Sequence, residues 1–303
     1  MSRIHEALRK AEQEKATGSR PEVPTEPTGR EISRVRYEEN VAGPAVTGGQ
    51  EPPAALTFEA LMARCPQPRW KPDPNATLFF NPQNSTHGTE EFRTLRSRLY
   101  RLRDQRPLRT LLITSPLPKE GKTFVAANLA QAISRQHERR ALLIDADLRI
   151  PRLHAALGTP LTPGLSDYLK GETDELSIVQ RSPQDNLFFI AGGKSIPNPA
   201  ELISNGRLKN LLDRLVPVFD WVIIDSPPVI LVSDASLLAE VCDGVLMVVQ
   251  AGVTPFDIAQ KACREFRGKP VVGAVLNRVE PGAIYGYYYE TYGVHSKNGK
   301  DKG

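Results

Sequence analysis

The sequence predicts an α/β fold in which a mostly parallel sheet is covered by helices on both faces. Short, continuously apolar runs recur along the chain and are typical of strands buried on both sides. Amphipathic helical patterns separate most of these runs, as expected for parallel strands joined by crossover helices. The strand-like runs are Leu111–Thr114, Ala141–Asp145, Leu187–Ile190, Trp221–Asp225, Gly244–Val249 and Val271–Leu276. The helical patterns include Ala200–Leu215, Ala235–Val241 and Ile258–Phe266.

The composition indicates that part of the chain lies outside this fold. The 303 residues contain 40% hydrophobic residues, which is low for a compact α/β protein, and 26 prolines. No apolar run approaches the roughly 18 residues that a membrane-spanning helix requires. The N-terminal sequence MSRIHEALRKAEQEK has no apolar core of the signal-peptide type. We therefore expect a cytoplasmic protein.

Charge and cysteine content exclude several classes of function. The 39 basic and 35 acidic residues give a net charge of +4, too balanced to indicate binding to nucleic acid. The cysteines Cys65, Cys242 and Cys263 are far apart in the sequence and lack paired spacing. They are predicted to be reduced thiols, and neither a structural metal site nor a disulfide framework is indicated.

The chain divides into four predicted segments. Residues 1–15 form an amphipathic helix with an apolar stripe, which is too short to be stable alone. That stripe either docks on a partner or belongs to a half-formed, solvated helix, and the sequence leaves both open. Residues 16–77 form a Pro-rich flexible linker, with room for a helical turn near 54–64. The α/β domain is predicted to span 78–280, and a tyrosine-rich tail 281–303.

A loop of the phosphate-binding type follows the first strand-like run, with the sequence SPLPKEGKT over 115–123. Gly121 permits a tight turn that points main-chain N–H groups at phosphate oxygens. Lys122 supplies a positive charge for the β- and γ-phosphates, and Thr123 supplies a hydroxyl for Mg²⁺. The helix that begins near Lys122 adds its positive N-terminal dipole. Pro116 replaces the first glycine of the usual G-x-x-x-x-G-K-[ST] pattern.

Carboxylates end two of the predicted strands. The run LLIDAD ends in Asp145 and Asp147, and the run VIIDSPP contains Asp225. Ligands of parallel sheets lie beyond the carboxyl ends of the strands, where carboxylates can hold Mg²⁺ near a triphosphate. A single aspartate in such a position could equally cap the next helix or turn. Three of them beside a phosphate loop predict binding of a magnesium–nucleotide complex.

The segments SPLPKEGKT, ALLIDADLRIP and WVIIDSPP, in this order, resemble the bacterial tyrosine kinases, P-loop proteins related to the partition and septum-site ATPases. The resemblance covers roughly residues 78–293. Family members usually carry Gly where this chain has Lys119, a second departure in the loop. Lys119 either adds positive charge near the phosphates or points outward. The N-terminal sequence SRIHEALRKAE resembles stand-alone members that accompany exopolysaccharide export.

The resemblance implies ATP and Mg²⁺ as cofactors and assigns roles to individual residues. Asp145 is expected to act as the base that accepts the tyrosine proton, and Asn277 to read the adenine edge. The expected catalytic residues are Lys122, Asp145, Asp147 and Asp225, and the expected metal-binding residues are Thr123, Asp147 and Asp225. The expected nucleotide-binding residues are Pro118, Lys119, Glu120, Gly121, Lys122, Thr123, Phe124 and Asn277.

Two further segments match features of the family. Five of the eight tyrosines of the chain lie in the stretch YGYYYETY over 285–292. The tail is either a sticky aromatic end that packs on the sheet or, as in the family, an autophosphorylation cluster of Tyr285, Tyr287, Tyr288, Tyr289 and Tyr292. The motif E-x-x-R-x-x-R is formed by Glu90, Arg93 and Arg96, which share one helix face. The family uses this helix as the oligomer interface of a ring, although intrahelical ion pairing explains the same spacing.

The resemblance also implies partners and a location. A membrane chain-length-determinant protein, the polysaccharide co-polymerase, is expected to activate the kinase and recruit it to the inner face of the membrane. A protein-tyrosine phosphatase is expected to reverse its phosphorylation. One alternative is a partition or septum-positioning ATPase, a nucleotide-driven dimer switch. Those proteins carry a lysine where this chain has Leu117, which argues against them. A module that binds nucleotide without transfer is the third possibility, suggested by Pro116 and Lys119.

Overall fold

The computed structural model describes residues 56–80, 87–183, 186–266 and 268–279. All of them belong to the second of two compact units of the chain, Pro52–Gly303. The predicted N-terminal helix, the linker up to residue 55 and the tail tyrosines lie outside the described residues. None of the helices in the described ranges is long and apolar enough to cross a membrane.

The described residues form a seven-stranded sheet with the spatial order β3-β4-β2-β5-β1-β6-β7. All neighbouring strands are parallel except β3 and β4. The strands are β1 Thr110–Thr114, β2 Ala141–Asp145, β3 Val179–Arg181, β4 Leu187–Ile190, β5 Trp221–Asp225, β6 Gly244–Gln250 and β7 Val271–Asn277. The predicted fold class is confirmed.

Helices connect the strands and cover the sheet. They are α1 Phe58–Arg64, α2 His87–Gln105, α3 Lys122–Ser134, α4 Leu153–Leu157, α5 Leu165–Lys170, α6 Glu175–Ile178, α7 Ala200–Ser204, α8 Arg207–Leu215, α9 Asp234–Ala239 and α10 Phe256–Arg264. A 3₁₀ turn, Val216–Val218, follows α8.

Two hydrophobic clusters pack against the opposite faces of the sheet. Leu112 of β1 contributes to one cluster, and its neighbours Leu111 and Ile113 contribute to the other. β2 and β5 alternate in the same way, and all three strands are buried along their whole length. Because neither face of these strands meets water, their sequences are continuously apolar rather than alternating.

Two elements differ from the sequence-based prediction. The short strand β3, antiparallel at the edge of the sheet, was not predicted, because three residues give too little pattern. The helix predicted over Ala200–Leu215 is two helices, α7 and α8. The break falls at Asn205-Gly206, where Gly206 has a φ of 82°, a left-handed conformation that ends α7 and starts α8 in a new direction.

The folded domain begins N-terminal of the predicted boundary at residue 78. Leu61 of α1 is fully buried in one core cluster, and Trp70 is buried in the other. The main-chain N–H of Lys71 donates to the Gly158 carbonyl at 3.0 Å. Residues 56–77, the end of the predicted linker, therefore pack on the domain as α1 and the segment that follows it.

The sheet gathers the predicted functional residues at one edge. β1 lies between β5 and β6, and β5 lies between β1 and β2. In the strand register, Asp145 is paired with Asp225, and Asp225 is also paired with Ile113 just before the phosphate loop. The carboxyl ends of three neighbouring strands thus converge on one point, as expected for a ligand site in a parallel sheet.

Candidate active site

The phosphate loop joins β1 to α3 through two residues in the left-handed region. Gly121 has a φ of 96° and Lys119 a φ of 67°. The loop therefore keeps, at Lys119, a conformation that favours glycine. The Lys119 side chain is exposed. Whether Lys119 contributes charge near the phosphates or points outward stays a prediction.

Glu120 holds the loop in shape. Its side chain is buried, and Oε2 accepts a hydrogen bond from the Leu117 main-chain N–H at 2.7 Å. The hydroxyl of Thr254, after β6, donates to Oε1. The Ser115 hydroxyl also donates to the Leu117 carbonyl at 2.7 Å. The sequence suggested only that Glu120 contacts nucleotide. In the structure its carboxylate connects the phosphate loop to Thr254, in the segment that follows β6.

Asn277 lies directly over the loop at the end of β7. Its Nδ2 donates to the Glu120 carbonyl at 2.8 Å. A β-carbon built on Gly121 would lie 2.0 Å from the same Nδ2 atom. Gly121 is thus required for its positive φ and for the close approach of Asn277. The predicted adenine-reading residue is therefore next to the loop, where its amide group is bonded to the main chain.

Lys122 is surrounded by carboxylates. Its Nζ donates to Asp147 Oδ2 at 3.0 Å and lies 4.0 Å from Asp225 Oδ1. Burial of the amine acts to lower its pKa, but the charges of Asp225 and Asp147 outweigh this effect and raise the pKa above its usual value. The side chain is therefore a charged ammonium throughout the neutral range.

Thr123 and Asp225 form the second contact of the site. The Thr123 hydroxyl donates to Asp225 Oδ2 at 2.7 Å. Asp225 is almost completely buried, and its Oδ1 accepts no hydrogen bond from any described residue. Burial is the main cause that raises the pKa of Asp225 to about 6. A buried carboxylate oxygen without a donor is a favourable ligand for a hard cation.

These groups fit Mg²⁺ bound together with a nucleotide. Thr123, Asp225 and Asp147 would hold the ion, because they offer one hydroxyl and two carboxylates around Lys122. This donor set matches magnesium chemistry, since Mg²⁺ is usually bound by one or two carboxylates together with phosphates and water.

Asp145 is fully buried behind these residues. Its Oδ2 accepts hydrogen bonds from the main-chain N–H groups of Arg152 and Leu153, both at 3.0 Å, and its Oδ1 accepts one from Asp147 at 3.3 Å. Burial, followed by the charge of Asp225, raises the pKa of Asp145 to about 8. Asp145 thus shapes the chain that follows β2 and also belongs to the charge cluster.

The remaining predicted residues occupy different environments. Pro118 is exposed on the loop. The Phe124 ring packs against Phe92, with ring centroids 5.9 Å apart, so only its main chain faces the loop end of α3. In α2, Glu90 and Arg93 form an exposed ion pair. Arg96 instead turns toward α3 of its own chain.

The contact of Arg96 is specific. Its Nη1 donates to the Ala132 carbonyl at 2.6 Å, and its Nε is buried without a partner among the described residues. Glu90, Arg93 and Arg96 were expected to share one face of α2. In the structure, Glu90 and Arg93 are exposed, whereas Arg96 contacts the main chain of α3.

Comparison with known proteins agrees with this geometry. A family model described as the CobQ/CobB/MinD/ParA nucleotide binding domain matches residues 111–292. Tyrosine-protein kinase YwqD of Bacillus subtilis (strain 168) is 36% identical over 204 residues, which cover 66% of this chain and 86% of that protein.

Two further similarities extend the comparison. Tyrosine-protein kinase wzc of Salmonella typhimurium is 36% identical over 214 residues, 69% of this chain but 30% of that protein, so this chain spans less than a third of it. Among solved structures, the kinase domain of Escherichia coli tyrosine kinase ETK superposes with a TM-score of 0.65 at 28% identity. That match covers 72% of this chain and 85% of the other.

The loop geometry predicts opposite outcomes for its two left-handed residues. Gly121→Ala should weaken ADP binding at least tenfold, since a left-handed β-carbon costs about 1–2 kcal/mol and must displace Asn277 from Glu120. Lys119→Gly should leave ADP affinity unchanged, because glycine adopts the same φ freely. Isothermal titration measures both affinities, and thermal unfolding confirms that each variant is folded. Wild-type affinity in Gly121→Ala would show that the loop does not need this conformation.

Proposed function

This chain belongs to the CobQ/CobB/MinD/ParA nucleotide-binding domain family and, within it, to the bacterial tyrosine-protein kinases, and from that premise we propose that it is an autokinase. It transfers the γ-phosphoryl group of MgATP to the tyrosines at 285, 287, 288, 289 and 292 of a neighbouring copy. The observation that carries the proposal is the arrangement of Lys122, Thr123, Asp147 and Asp225 around one point beside the phosphate loop.

The chain positions the nucleotide mainly by charge and main-chain geometry. The loop amides and the N-terminus of α3 point at the phosphates, and Lys122 reaches the β- and γ-phosphates. The Lys122 ammonium, now paired with Asp147 and Asp225, exchanges those partners for phosphate oxygens when ATP binds. Thr123, Asp225 and Asp147 would hold Mg²⁺, which would supply the charge neutralisation that phosphoryl transfer requires. Asn277 orients the adenine base from the end of β7.

We assign the acceptance of the tyrosine proton to Asp145. A tyrosine hydroxyl has a pKa of about 10 and needs a base as it attacks. In its ionised form, Asp145 is a stronger base than an ordinary aspartate, because burial raises its pKa to about 8. The positive charge of a bound Mg²⁺ would favour that ionised form. The three main-chain hydrogen bonds to Asp145 favour a second, structural role, and the two roles are separable by experiment.

The acceptor tyrosines follow the last strand. β7 ends at Asn277, whose amide touches the phosphate loop, so the chain leaves the described domain at its catalytic edge. We propose that the acceptor tail enters the site of a neighbour in a ring-like assembly. In this proposal α2 is the interface helix, and Glu90 and Arg93 are its exposed charges. Arg96 holds α2 against α3 of the same chain through its hydrogen bond to the Ala132 carbonyl.

The cellular role that we propose follows from the family. The chain works at the inner face of the membrane, where a chain-length-determinant protein recruits and activates it. Its phosphorylation, reversed by a tyrosine phosphatase, regulates polymerisation and export of an exopolysaccharide or capsule. The test of this proposal is co-purification of the chain with a membrane polysaccharide co-polymerase, which should raise its phosphotyrosine level. No effect of the co-polymerase on phosphotyrosine would contradict it.

Lys122→Met should lower the rate of tyrosine phosphorylation by about 100- to 1,000-fold, the loss typical when one charge-stabilising group is removed from a transition state. The measurement is incorporation of labelled phosphate from ATP and Mg²⁺, with thermal unfolding as the check on the fold. Lys209→Met, at an exposed lysine of α8, is the matched control and should retain activity.

A variant with the five tail tyrosines changed to phenylalanine separates the possible functions. A tail kinase incorporates no label into this variant, while its nucleotide binding is unchanged. Release of inorganic phosphate without phosphotyrosine in the wild type indicates an ATPase switch, and no turnover indicates a binding module. Either of these last results contradicts the proposed kinase.

Asp145→Asn should retain ADP affinity and lose autophosphorylation. The amide oxygen can still accept the Arg152 and Leu153 N–H groups, which retains two of the three main-chain bonds and loses the longer one from Asp147. The amide does not accept a proton at neutral pH. Phosphotyrosine formation and ADP titration are the two measurements. If phosphorylation proceeds at the wild-type rate, Asp145 is a structural residue only.

The double substitution Glu90→Ala with Arg93→Ala should convert the large assembly of unphosphorylated protein to monomer, as measured by light scattering. Among the described residues, these two exposed charges pair with each other, so the thermal stability should change little. Arg96→Ala is the contrasting variant and should lower the stability, because it removes the contact of α2 with Ala132. A wild type that is monomeric at high concentration, with its activator present, refutes the ring.

A further inference from the structure

The segment after β2 carries Asp147 and is fixed to two other parts of the domain. The Asp147 side chain accepts a hydrogen bond from the Ile150 main-chain N–H at 3.2 Å through Oδ1, which leaves Oδ2 for Lys122. Asp147 therefore sits at the start of a short turn whose shape decides where its carboxylate points. Arg149 lies inside that turn.

The main chain of this turn is bonded to the connection after β4. Leu148 is fully buried, and its carbonyl accepts a hydrogen bond from the Ile196 N–H at 2.8 Å. The Ser195 hydroxyl donates to the Arg149 carbonyl. These contacts fix the outer side of the turn, and the Arg149 side chain extends toward α9.

Arg149 then makes a forked ion pair with Asp234, the first residue of α9. Nε donates to Asp234 Oδ2 at 2.6 Å, and Nη2 donates to Oδ1 at 2.9 Å. Nη1 donates to the Pro197 carbonyl at 2.7 Å. Among the described residues this guanidinium joins three segments of the chain, which a lysine ammonium cannot do with the same planar fork.

Burial makes this pair a strong constraint. Asp234 has no solvent exposure, so its carboxylate depends on Arg149 for compensation of its charge. The Arg149 side chain is about one-third exposed at 29%. α9 follows the loop that leaves Asp225, and the turn of Asp147 follows Asp145. The ion pair thus connects the chain after one metal-binding aspartate to the chain after the other.

We infer that the Arg149–Asp234 pair positions the Asp147 carboxylate for Mg²⁺ and for Lys122. This inference rests on the proposed binding of MgATP. Arg149 and Asp234 touch neither phosphate nor metal and act through Asp147 as positioning residues. Partners of this kind, which orient a metal-binding side chain, typically change metal affinity or activity by about 10- to 100-fold when they are replaced.

The test is the gain in ADP affinity that Mg²⁺ provides, measured on the full chain. ADP affinity is titrated in excess Mg²⁺ and again in EDTA, and the ratio of the two is the Mg²⁺ gain. Arg149→Lys retains the charge without the fork, and Asp234→Asn retains the size without the charge. Both should reduce the Mg²⁺ gain by about 10-fold or more, while ADP affinity in EDTA stays at the wild-type value.

Arg214→Lys is the matched control. It alters a comparable ion pair, between Arg214 Nη2 and Glu175 Oε1 at 2.7 Å, that lies outside the site, and it should leave the Mg²⁺ gain unchanged. Because each ratio is taken within one preparation, a partly unfolded variant does not bias it.

Three results would overturn the inference: a wild-type Mg²⁺ gain in both Arg149→Lys and Asp234→Asn, a wild type without any gain, or the same loss in Arg214→Lys. The measurement needs no phosphotyrosine, so a failure of the kinase proposal and a failure of this inference are distinguishable.

Discussion

One ammonium group shares a buried volume with three carboxylates at the carboxyl edge of the sheet, and the rest of the site depends on this imbalance. Lys122 compensates part of the negative charge of Asp145, Asp147 and Asp225. The remainder is relieved by protons, because burial raises the pKa of Asp145 to about 8 and that of Asp225 to about 6. A divalent cation would compensate the negative charge of these carboxylates more completely than protons do, because one ion can interact with several carboxylates at once.

The parallel sheet is what creates the imbalance. Strands β2, β5 and β1 are adjacent, and their register places Asp145 beside Asp225 and Asp225 beside the residues that enter the phosphate loop. Each strand is buried along its whole length, so the carboxylates cannot turn toward bulk water. They stay close together only because main-chain N–H groups, the Thr123 hydroxyl and Lys122 supply donors. The fold thus supplies the energy that keeps like charges together.

Much of this arrangement was predictable from local sequence. The six longer strands, the loop at Gly121 and the three aspartates all produce short-range patterns, and all were predicted where the structure has them. Apart from the short strand β3 and the helix break at Gly206, the features that were missed depend on distant contacts. The packing of residues 56–77 is set by Leu61 and Trp70, which are spaced too irregularly for a periodic signal. The inward turn of Arg96 and the pairing of Arg149 with Asp234 join residues far apart in the chain, so no spacing rule finds them.

The departure of Lys119 from the usual glycine is explained only by contacts in the folded loop. Lys119 occupies a glycine-like conformation because other contacts hold the loop: Glu120 binds the Leu117 N–H and Thr254, and Asn277 binds the Glu120 carbonyl. These contacts offset the conformational cost of a left-handed lysine, about 1–2 kcal/mol. The same loop holds Lys122 against Asp147. In the function that we propose, phosphates that draw Lys122 away would leave Asp147 without its compensating charge and make it a better ligand for Mg²⁺. Nucleotide and metal would therefore favour each other's binding, because each would remove the electrostatic cost that the other creates.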